Sequence, residues 1–163
     1  MAALTFNKIS KNHDILAMIK QSDEQLGIIG YTEHGIRHAK WVGRTAQKVL
    51  KSLGKDPRQA ELAGIAGFMH DIGNLVNRED HAQAGAEFAR SLLQGQPADR
   101  VQAVAHAIAA HRFRTGPEPE TLEARVLHDA DKLDAIGAIG PKISSLKTRI
   151  SGLTLHRIVG STK

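Results

Sequence analysis

Leu62-Ala63-Gly64-Ile65-Ala66-Gly67-Phe68-Met69-His70-Asp71-Ile72-Gly73 is the stretch of sequence around which this chain is organised. From residue 60 to residue 69 the side chains are apolar all round a helical wheel, apart from Glu61 and two glycines, which is typical of a fully buried helix. The two glycines lower helix propensity, so we expect them where a neighbouring backbone approaches closely. The pattern predicts a central helix that ends at His70-Asp71, with Gly73 as its C-terminal stop.

The carboxylate of Asp71 is unfavourably placed at this helix end. It faces the negative end of the helix dipole, which costs roughly 0.3–1 kcal/mol, and it loses hydration if it lies near the core. A bound cation would reverse the sign of both effects. An isolated His-Asp pair can equally be a hydrogen-bonded helix end, so the other histidines have to decide between the two interpretations.

Length and composition limit the class of protein. The chain of 163 residues is long enough for one domain with one core. It has no apolar run of membrane-spanning length and no secretory signal at its start, so we expect a cytoplasmic protein. Because there is no cysteine, disulfides and thiolate metal sites are excluded, whereas nine histidines can supply metal ligands.

The net charge of +5 is concentrated near the C-terminus. No acidic residue follows Asp134, and the excess equals the five basic residues after it, which are Lys142, Lys147, Arg149, Arg157 and Lys163. We therefore predict a near-neutral helical domain at 1–140 and a basic tail at 141–163, which forms a short helix or is partly mobile. The low aromatic content and the lack of basic and aromatic interleaving disfavour nucleic acid as a partner.

Two helices are predicted before the central one. An amphipathic helix is expected near residues 12–26, with Gly27 after it. A second is expected at about 33–53, with Thr32 as its N-cap and a buried stripe that contains His38 and, one turn earlier, His34. Two histidines on one buried face favour a metal site about as strongly as a hydrogen-bonded core.

Further histidines lie at the ends of the helices that follow the central one. His81 falls in the first turn of a helix, on its inward face. Pro97 opens the next helix, which stops before a turn-rich loop. On this helix the inward stripe continues to His111 or Arg112, whereas His106 faces elsewhere, so His111 is the better ligand candidate.

The last predicted helix begins at Thr121 and has aspartates within an otherwise apolar pattern. They are Asp129, Asp131 and Asp134, and such a group is expensive in a buried helix unless a partner compensates it. Periodicity alone leaves open whether Asp129 or Asp131 points inward. Since no stretch alternates as a strand would, the chain is predicted to be all-α.

In this order the motifs resemble those of the HD-domain metal-dependent phosphohydrolase superfamily, over about residues 30–138. The pieces that match are Glu33-His34-Gly35-Ile36-Arg37-His38-Ala39, the doublet His70-Asp71, the segment His81-Ala82-Gln83-Ala84-Gly85 and the segment Ala130-Asp131-Lys132-Leu133-Asp134. The resemblance implies an HD-domain-like helical bundle with a metal site at converging helix ends, similar to small stand-alone bacterial HD hydrolases. It favours Asp131 over Asp129 and His34 over His38.

The resemblance implies a set of metal ligands. His34, His70, Asp71 and Asp131 would hold one divalent ion, and His81 and His111 would add a second, with Asp71 between the two. Imidazole and carboxylate ligands suit Mn, Fe, Ni, Mg or Zn. Such an ion lowers the pKa of bound water from 15.7 towards about 7, so a metal-activated hydroxide becomes the nucleophile.

Cations near these motifs would neutralise the phosphoryl group of a substrate. They are Arg37, Arg112, Arg114 and Lys132, with Lys132 first because it adjoins a predicted ligand, and we expect Asp71 and Lys132 to be the catalytic residues. The predicted reaction is hydrolysis of a phosphate ester or anhydride of a nucleotide or another small phosphorylated metabolite.

Two departures from the family pattern disfavour a cyclic dinucleotide as the substrate. Asn74 stands where two-metal cyclic-dinucleotide phosphodiesterases have a lysine, and Gly116-Pro117 lacks their tyrosine. The alternatives to a phosphohydrolase are a di-iron oxygenase of HD type and a non-catalytic, metal-stabilised nucleotide sensor. The substrate, the physiological metal and the oligomeric state stay open.

Overall fold

A computed structural model describes residues 4–31, 34–112 and 116–135, and within these ranges all regular secondary structure is helical. This confirms the predicted all-α class. The elements in chain order are α1 (Phe6–Ile9), α2 (His13–Ile28), α3 (Ile36–Ser52), α4 (Pro57–Met69), a 3₁₀ turn (Ile72–Leu75), α5 (His81–Leu92), α6 (Ala98–Ala109) and α7 (Leu122–Ala135).

The predicted central helix is α4, which packs against α1, α3, α6 and α7. Its residues from Leu62 to Met69 are all buried. Glu61, the one acidic residue of this helix, accepts a 2.7 Å hydrogen bond from the backbone nitrogen of Phe6 and another of 2.7 Å from Nε2 of Gln47. These bonds compensate a carboxylate beside the core, and they tie the short helix α1 to α4.

Glycines bring α3 and α4 into close contact, as the sequence predicted for Gly64 and Gly67. A Cβ added to Gly67 would lie 2.8 Å from Cα of Gly43 on α3, and one added to Gly43 would lie 2.6 Å from the carbonyl oxygen of Gly64. The two backbones therefore touch where side chains would keep them apart. This contact fixes α3 and α4 relative to each other close to His38, near the start of α3, and to His70, at the end of α4.

The predicted role of Gly73 as a helix stop is wrong. Gly73 lies inside the 3₁₀ turn and has no positive φ, whereas Gly30, Gly54 and Gly95 do. A Cβ at Gly73 would collide with the carbonyl oxygen of His81 and with the backbone nitrogen of Gly85. This glycine thus allows the turn after Asp71 to lie directly on the start of α5.

Two predicted helix boundaries also differ from the structure. Helix α2 continues through Gly27 to Ile28, because the left-handed residue that follows it is Gly30. Helix α3 begins at Ile36 with Gly35 as its N-cap, while the predicted cap Thr32 lies outside the described residues. His34 therefore precedes the helix and is not part of its buried stripe.

Other parts of the organisation lie beyond the described ranges. The predicted tail at 141–163 falls outside them, so the division into a domain at 1–140 and a tail stays a prediction. Among the helices described, none is both long enough and apolar enough to span a lipid bilayer.

Candidate metal centre

The structure brings all six predicted metal ligands together at the ends of five helices. His34 lies just before α3, His70 and Asp71 join α4 to the 3₁₀ turn, His81 is the first residue of α5, His111 follows α6, and Asp131 lies in α7. Five of the six, together with His38, form three overlapping groups of ligand atoms that could each hold an ion, and every atom of a group lies within 4.8 Å of the others. The groups are His34, His38 and Asp71; His38, His70 and Asp131; and His70, Asp71 and His111. His81 is outside these groups, but its Nε2 lies 3.6 Å from Oδ1 of Asp71.

Asp71 lies at the middle of this cluster, and its two oxygens face different partners. Oδ2 lies 2.9 Å from Nδ1 of His34 and 3.3 Å from Nε2 of His70. Oδ1 lies 3.6 Å from Nε2 of His81 and accepts a 3.1 Å hydrogen bond from Nδ2 of Asn74. We divide the centre into two halves, which share Asp71. The first half, on the side of Oδ2, contains His34, His38, His70 and Asp131. The second half, on the side of Oδ1, contains His81 and His111.

In the first half, two imidazoles and two carboxylates face one another. Nε2 of His38 lies 3.3 Å from Nε2 of His70 and 3.8 Å from Oδ2 of Asp71. Oδ1 of Asp131 lies 3.6 Å from the His38 nitrogen and 3.5 Å from the His70 nitrogen. All of these groups are buried or nearly so, which leaves little room for water to solvate them.

In the second half, two imidazoles face each other beside a single carboxylate oxygen. Nε2 of His81 lies 3.1 Å from Nε2 of His111, and both residues are 3% exposed. Oδ1 of Asp71 is the carboxylate oxygen within reach of His81. This half therefore contains fewer charged groups than the first.

The other ring nitrogen, Nδ1, of each inward histidine forms a hydrogen bond with an oxygen atom outside the cluster. Nδ1 of His70, His81 and His111 is 2.6–2.8 Å from the backbone carbonyl three residues earlier, which belongs to Gly67, Arg78 and Ile108 respectively. Nδ1 of His38 lies 2.6 Å from Oδ2 of Asp134. Since these oxygens can only accept, each Nδ1 is the donor, and a neutral ring then presents an unprotonated Nε2 to the cluster.

This arrangement fits a divalent metal. Neutral rings oriented in this way would place the lone pairs of two Nε2 atoms against each other at 3.1 Å and at 3.3 Å, which is repulsive unless a cation or a proton lies between them. Histidine ligands in metal sites are oriented in the same manner, by a hydrogen bond from the second ring nitrogen. The donor set of imidazoles and carboxylates suits the metals that the sequence indicated.

The pKa values show how the cluster is charged without an ion. Burial acts to raise the pKa of Asp71, but His70 and the hydrogen bond to His34 hold it well below its usual range. Burial acts to lower the pKa of His70, yet Asp71 and Asp131 raise it well above its usual value. Asp131 also has a lowered pKa, since its contacts with His70 outweigh burial. Both carboxylates are thus ionised, and His70 holds a proton between them.

The remaining inward histidines stay neutral, which is the form that binds metal. Burial and the nearby His70 lower the pKa of His111 to about 3. Burial is also the main cause of the lowered pKa of His81 and of His38, although Asp134 acts in the opposite direction on His38.

Sequence reasoning missed the roles of His38 and Asp134. The motif comparison preferred His34 to His38, but the structure brings both to Asp71, and His38 takes part in two of the three candidate ligand groups. The available signal was helical spacing, because His38 lies on the buried stripe of its helix and Asp134 lies one turn after Asp131. The assignment of individual ligands stays a prediction.

The predicted substrate cations differ in their positions. Nζ of Lys132 is 2.7 Å from Oδ2 of Asp131, so this lysine lies at the cluster. Arg112 donates a hydrogen bond to the backbone carbonyl of Glu79, and Arg37 is exposed on α3. Arg114 lies outside the described residues.

The sequence did not indicate one further cation, Arg78, which lies after the 3₁₀ turn. Its Nη1 is 3.9 Å from Oδ1 of Asp71 and donates a 3.2 Å hydrogen bond to Oδ1 of Asn74. Its guanidinium also lies 4.9 Å from the ring centre of Tyr31. Arg78 and Lys132 thus bring positive charge to opposite halves of the centre.

One family profile matches a range of this chain that includes most residues of the cluster. The profile of the HD domain family matches residues 35–136, a range that includes His38, the His70-Asp71 doublet and Asp131, and begins one residue after His34.

Related proteins match over most of this chain but are longer. Ribonuclease Y of Lawsonia intracellularis is 31% identical over 134 residues, which are 80% of this chain and 24% of that protein. An uncharacterised protein of Methanocaldococcus jannaschii is 28% identical in an alignment 155 residues long, which covers 80% of this chain and 59% of that protein. The chain thus spans about a quarter of the first relative and less than two thirds of the second.

Solved structures share the fold. A predicted HD superfamily hydrolase from an uncultured Thermotogales bacterium superposes with a TM-score of 0.61 at 24% identity, over 89% of this chain and 87% of that one. A Lactobacillus plantarum protein superposes with a TM-score of 0.52 at 29% identity, over 86% of this chain and 66% of that one. The bundle around the candidate metal centre is therefore a known architecture.

Proposed function

This chain belongs to the HD domain family, and from that premise we propose that it is a metal-dependent phosphohydrolase, which cleaves a phosphate ester or anhydride of a nucleotide or another small phosphorylated compound. The observation on which the proposal rests is the convergence of three Nε2 atoms, those of His38, His70 and His81, on the two oxygens of Asp71. Nε2 of His111 lies beside that of His81, and a hydrogen bond holds Nδ1 in each of the four rings. A buried cluster of this kind is expensive without a cation.

The two halves of the centre would hold one or two divalent ions. The first ion would be held by His38, His70, Asp71 and Asp131, with His34 beside Asp71, and the second by His81, His111 and the other oxygen of Asp71. When bound, such an ion supplies water of lowered pKa as a nucleophile and positive charge against phosphoryl oxygens. Asp71 belongs to both halves, so it determines how they are spaced.

The surrounding residues suit an anionic substrate. Lys132 and Arg78 lie at the mouth of the centre, with side chains that are 45% and 31% exposed. Each can turn from its present carboxylate or amide partner towards a phosphoryl oxygen, where it would stabilise the charge that develops during hydrolysis. Asp134 and Asn74 act as positioning residues, because they hold His38 and Asp71 by hydrogen bonds.

Relatives support phosphate ester chemistry. Several are named Ribonuclease Y, and an RNA backbone is a chain of phosphate diesters. They are 31% and 34% identical to this chain over aligned regions that amount to 24% and 19% of their lengths. The aligned regions cover 80% and 63% of this chain, so the reaction class can extend to this chain while its substrate differs.

The test is metal content together with phosphate release. Protein purified without chelator is analysed for metals, stripped, reloaded with Mn, Ni, Mg, Zn or Fe, and assayed on nucleotides, sugar phosphates and bis(p-nitrophenyl) phosphate. We expect one or two ions per chain and metal-dependent turnover of one substrate class. His70→Ala should abolish both, while His13→Ala, a change of an exposed histidine at the start of α2, should leave both intact.

Other outcomes identify other functions. Iron with an optical spectrum and oxygen consumption, but no phosphate release, would identify the di-iron oxygenase. Tight nucleotide binding to the metal-loaded protein without turnover would identify the sensor. Absence of bound metal under every loading condition would contradict all three functions.

A further inference from the structure

The exposed face of α3 forms a groove that is separate from the metal centre. Among the residues that the structure describes, those that line it all belong to this helix, at positions that share one face because they recur every three or four residues. The lining residues are Arg37, Lys40, Trp41, Arg44, Thr45 and Lys48.

The groove is strongly cationic. Of the six lining residues in the described part of the chain, four are basic and none is acidic. Within residues 4–31, 34–112 and 116–135, Lys40, Arg44 and Lys48 have no ion-pair partner, whereas Lys51, the next lysine of the same helix, pairs with Glu61 at 3.7 Å. Like charges one turn apart repel each other, so a polyanion across Lys40, Arg44 and Lys48 would relieve this repulsion.

The spacing of the cations fits a linear polyanion. From Arg37 to Lys48 the helix rises about 16 Å, with a basic residue at nearly every turn. Phosphates that follow one another along an extended strand are separated by a distance similar to one helical turn. A compact anion such as a single nucleotide would reach one or two of these cations, while a strand would reach all of them.

Trp41 distinguishes between kinds of polyanion. It is the one tryptophan of the chain, and it lies half-buried in the groove, beside Lys40 and one turn before Thr45 on the floor. Single-stranded nucleic acids bind grooves that combine backbone cations with aromatic rings on which bases stack. Inorganic polyphosphate and anionic lipid headgroups have no base to stack on this ring.

We propose that the groove on α3 binds a single-stranded nucleic acid, with phosphates along the row of cations and a base against Trp41. The sequence disfavoured this partner because aromatic residues are few and do not alternate with basic residues along the chain, but the helix brings Trp41 and the basic residues to one face. The tail at 141–163 is an unsuitable occupant, since it is itself basic and has no acidic residue.

The groove also points to the proposed active centre. Its first residue, Arg37, is adjacent in sequence to His38, so one end of the groove lies at the level of the cluster. A bound strand would lead a phosphodiester towards the metal centre. This last step rests on the proposed phosphohydrolase function, whereas binding to the groove does not.

Binding is tested on the full chain with a 12-nucleotide single strand of uridines, followed by the fluorescence of the single tryptophan. We expect quenching on binding and an affinity that falls with salt with a log–log slope of roughly −2 to −3, about 0.7 for each phosphate contacted. The double variant Lys40→Glu/Arg44→Glu should lose at least about tenfold in affinity and reduce the slope by about 1.4.

A matched control makes the same change in net charge elsewhere. In Lys20→Glu/Arg58→Glu both substitutions lie on exposed positions of α2 and α4, and this variant should keep its affinity within about threefold. Equal losses in the two double variants would overturn the proposal, as would binding that leaves the tryptophan emission unchanged. Equal quenching and equal affinity for polyphosphate with the same number of phosphates would also overturn it.

Hydrolysis of bis(p-nitrophenyl) phosphate by the same variants separates the two proposals. Lys40→Glu/Arg44→Glu should keep this activity, because neither residue contacts the cluster. Binding in the groove by a protein that hydrolyses no phosphate ester would uphold the groove and reject the hydrolase. Hydrolysis without binding of the strand would reject the groove and uphold the hydrolase.

Discussion

The two halves of the metal centre share Asp71 but differ in charge. The first half adds a second carboxylate, Asp131, and one of its imidazoles, His38, is itself backed by the carboxylate of Asp134. The second half has two imidazoles that are backed by neutral backbone carbonyls, and its carboxylate oxygen is the shared one. Because anionic ligands attract a divalent cation most strongly, the first half should bind its ion more tightly than the second.

If the centre binds two ions, this difference in charge predicts the order in which they load. The half with two carboxylates would be filled first, and its ion would replace the proton on His70. The residues of the second half would hold a second ion with Asp71 as their one charged group, so repulsion from the first ion would weaken its binding further. We therefore expect stepwise loading, with the second half empty at low metal concentration.

The largest effect is expected from Asp71→Asn, which removes the group common to both halves. The amide keeps the shape of the side chain but loses its charge, and removing one partner of a buried pair costs roughly 3–5 kcal/mol. Metal affinity should fall by about 100- to 1,000-fold or more in both halves, as measured by titration with metal analysis. Circular dichroism should still show the helical fold.

The control for this variant is Asp14→Asn, which neutralises an exposed aspartate in the first turn of α2. It should bind metal as the wild type does. If Asp71→Asn kept the wild-type number of ions at the wild-type affinity, Asp71 would not be the shared ligand and the division into halves would fail.

A smaller effect is expected from His81→Ala, which should empty the second half alone. His81 contacts Oδ1 of Asp71 and Nε2 of His111, and apart from the shared Asp71 it forms no ion pair or hydrogen bond with the first-half ligands. Metal analysis at saturation should therefore give one ion per chain in place of two, with the tighter dissociation constant unchanged. Wild-type protein that never binds more than one ion would contradict the second half.

The sequence predicted the inward position of a ligand where it lies inside a regular helix or at its first residue. The structure places Asp131 and His81 at the cluster, as the motif and the spacing on α5 had predicted, while their role as ligands stays a prediction. Helical periodicity states which face is buried, and it remains valid to the first residue of the helix. For this reason α4 and the convergence of helix ends could both be anticipated.

The errors concern residues whose conformation depends on a distant part of the chain. Gly73 resembles a helix stop when read locally, but its role follows from contact with His81 and Gly85 on α5. His34 was assigned to a helix that begins two residues later. The role of Asp134 depends on His38, which is 2.6 Å away in the fold and far away in sequence.

The cationic groove on α3 is a second feature that the sequence did not predict, because it depends on which residues share a helix face. Net charge and aromatic content are properties of the whole chain, and the sequence assigned the excess of positive charge to the tail while the low aromatic content disfavoured a nucleic acid. A helix places residues 37, 40, 41, 44 and 48 side by side, so a local excess of charge arises without any cluster in the sequence. Hydrophobic spacing on α3 predicts its buried face, and the same spacing brings the basic residues together on the opposite face.

The smallest effect is expected from Asp134→Asn, which makes the first half more like the second. The amide oxygen can still accept the hydrogen bond from Nδ1 of His38, as backbone carbonyls do for His81 and His111, but the added negative charge is lost. Affinity for the first ion should fall by less than about tenfold, whereas Asp134→Ala, which also removes the acceptor, should lower it by about 10- to 100-fold. Both variants should still bind two ions at saturation, and the dissociation constant of the second ion should not change, since Asp134 has no contact with the second half. Titration calorimetry resolves the two constants.

A purely structural role for Asp134 would instead lower the affinity for both ions together and lower the melting temperature equally in the two variants. That result would show that the carboxylate of Asp134 does not account for the difference between the halves.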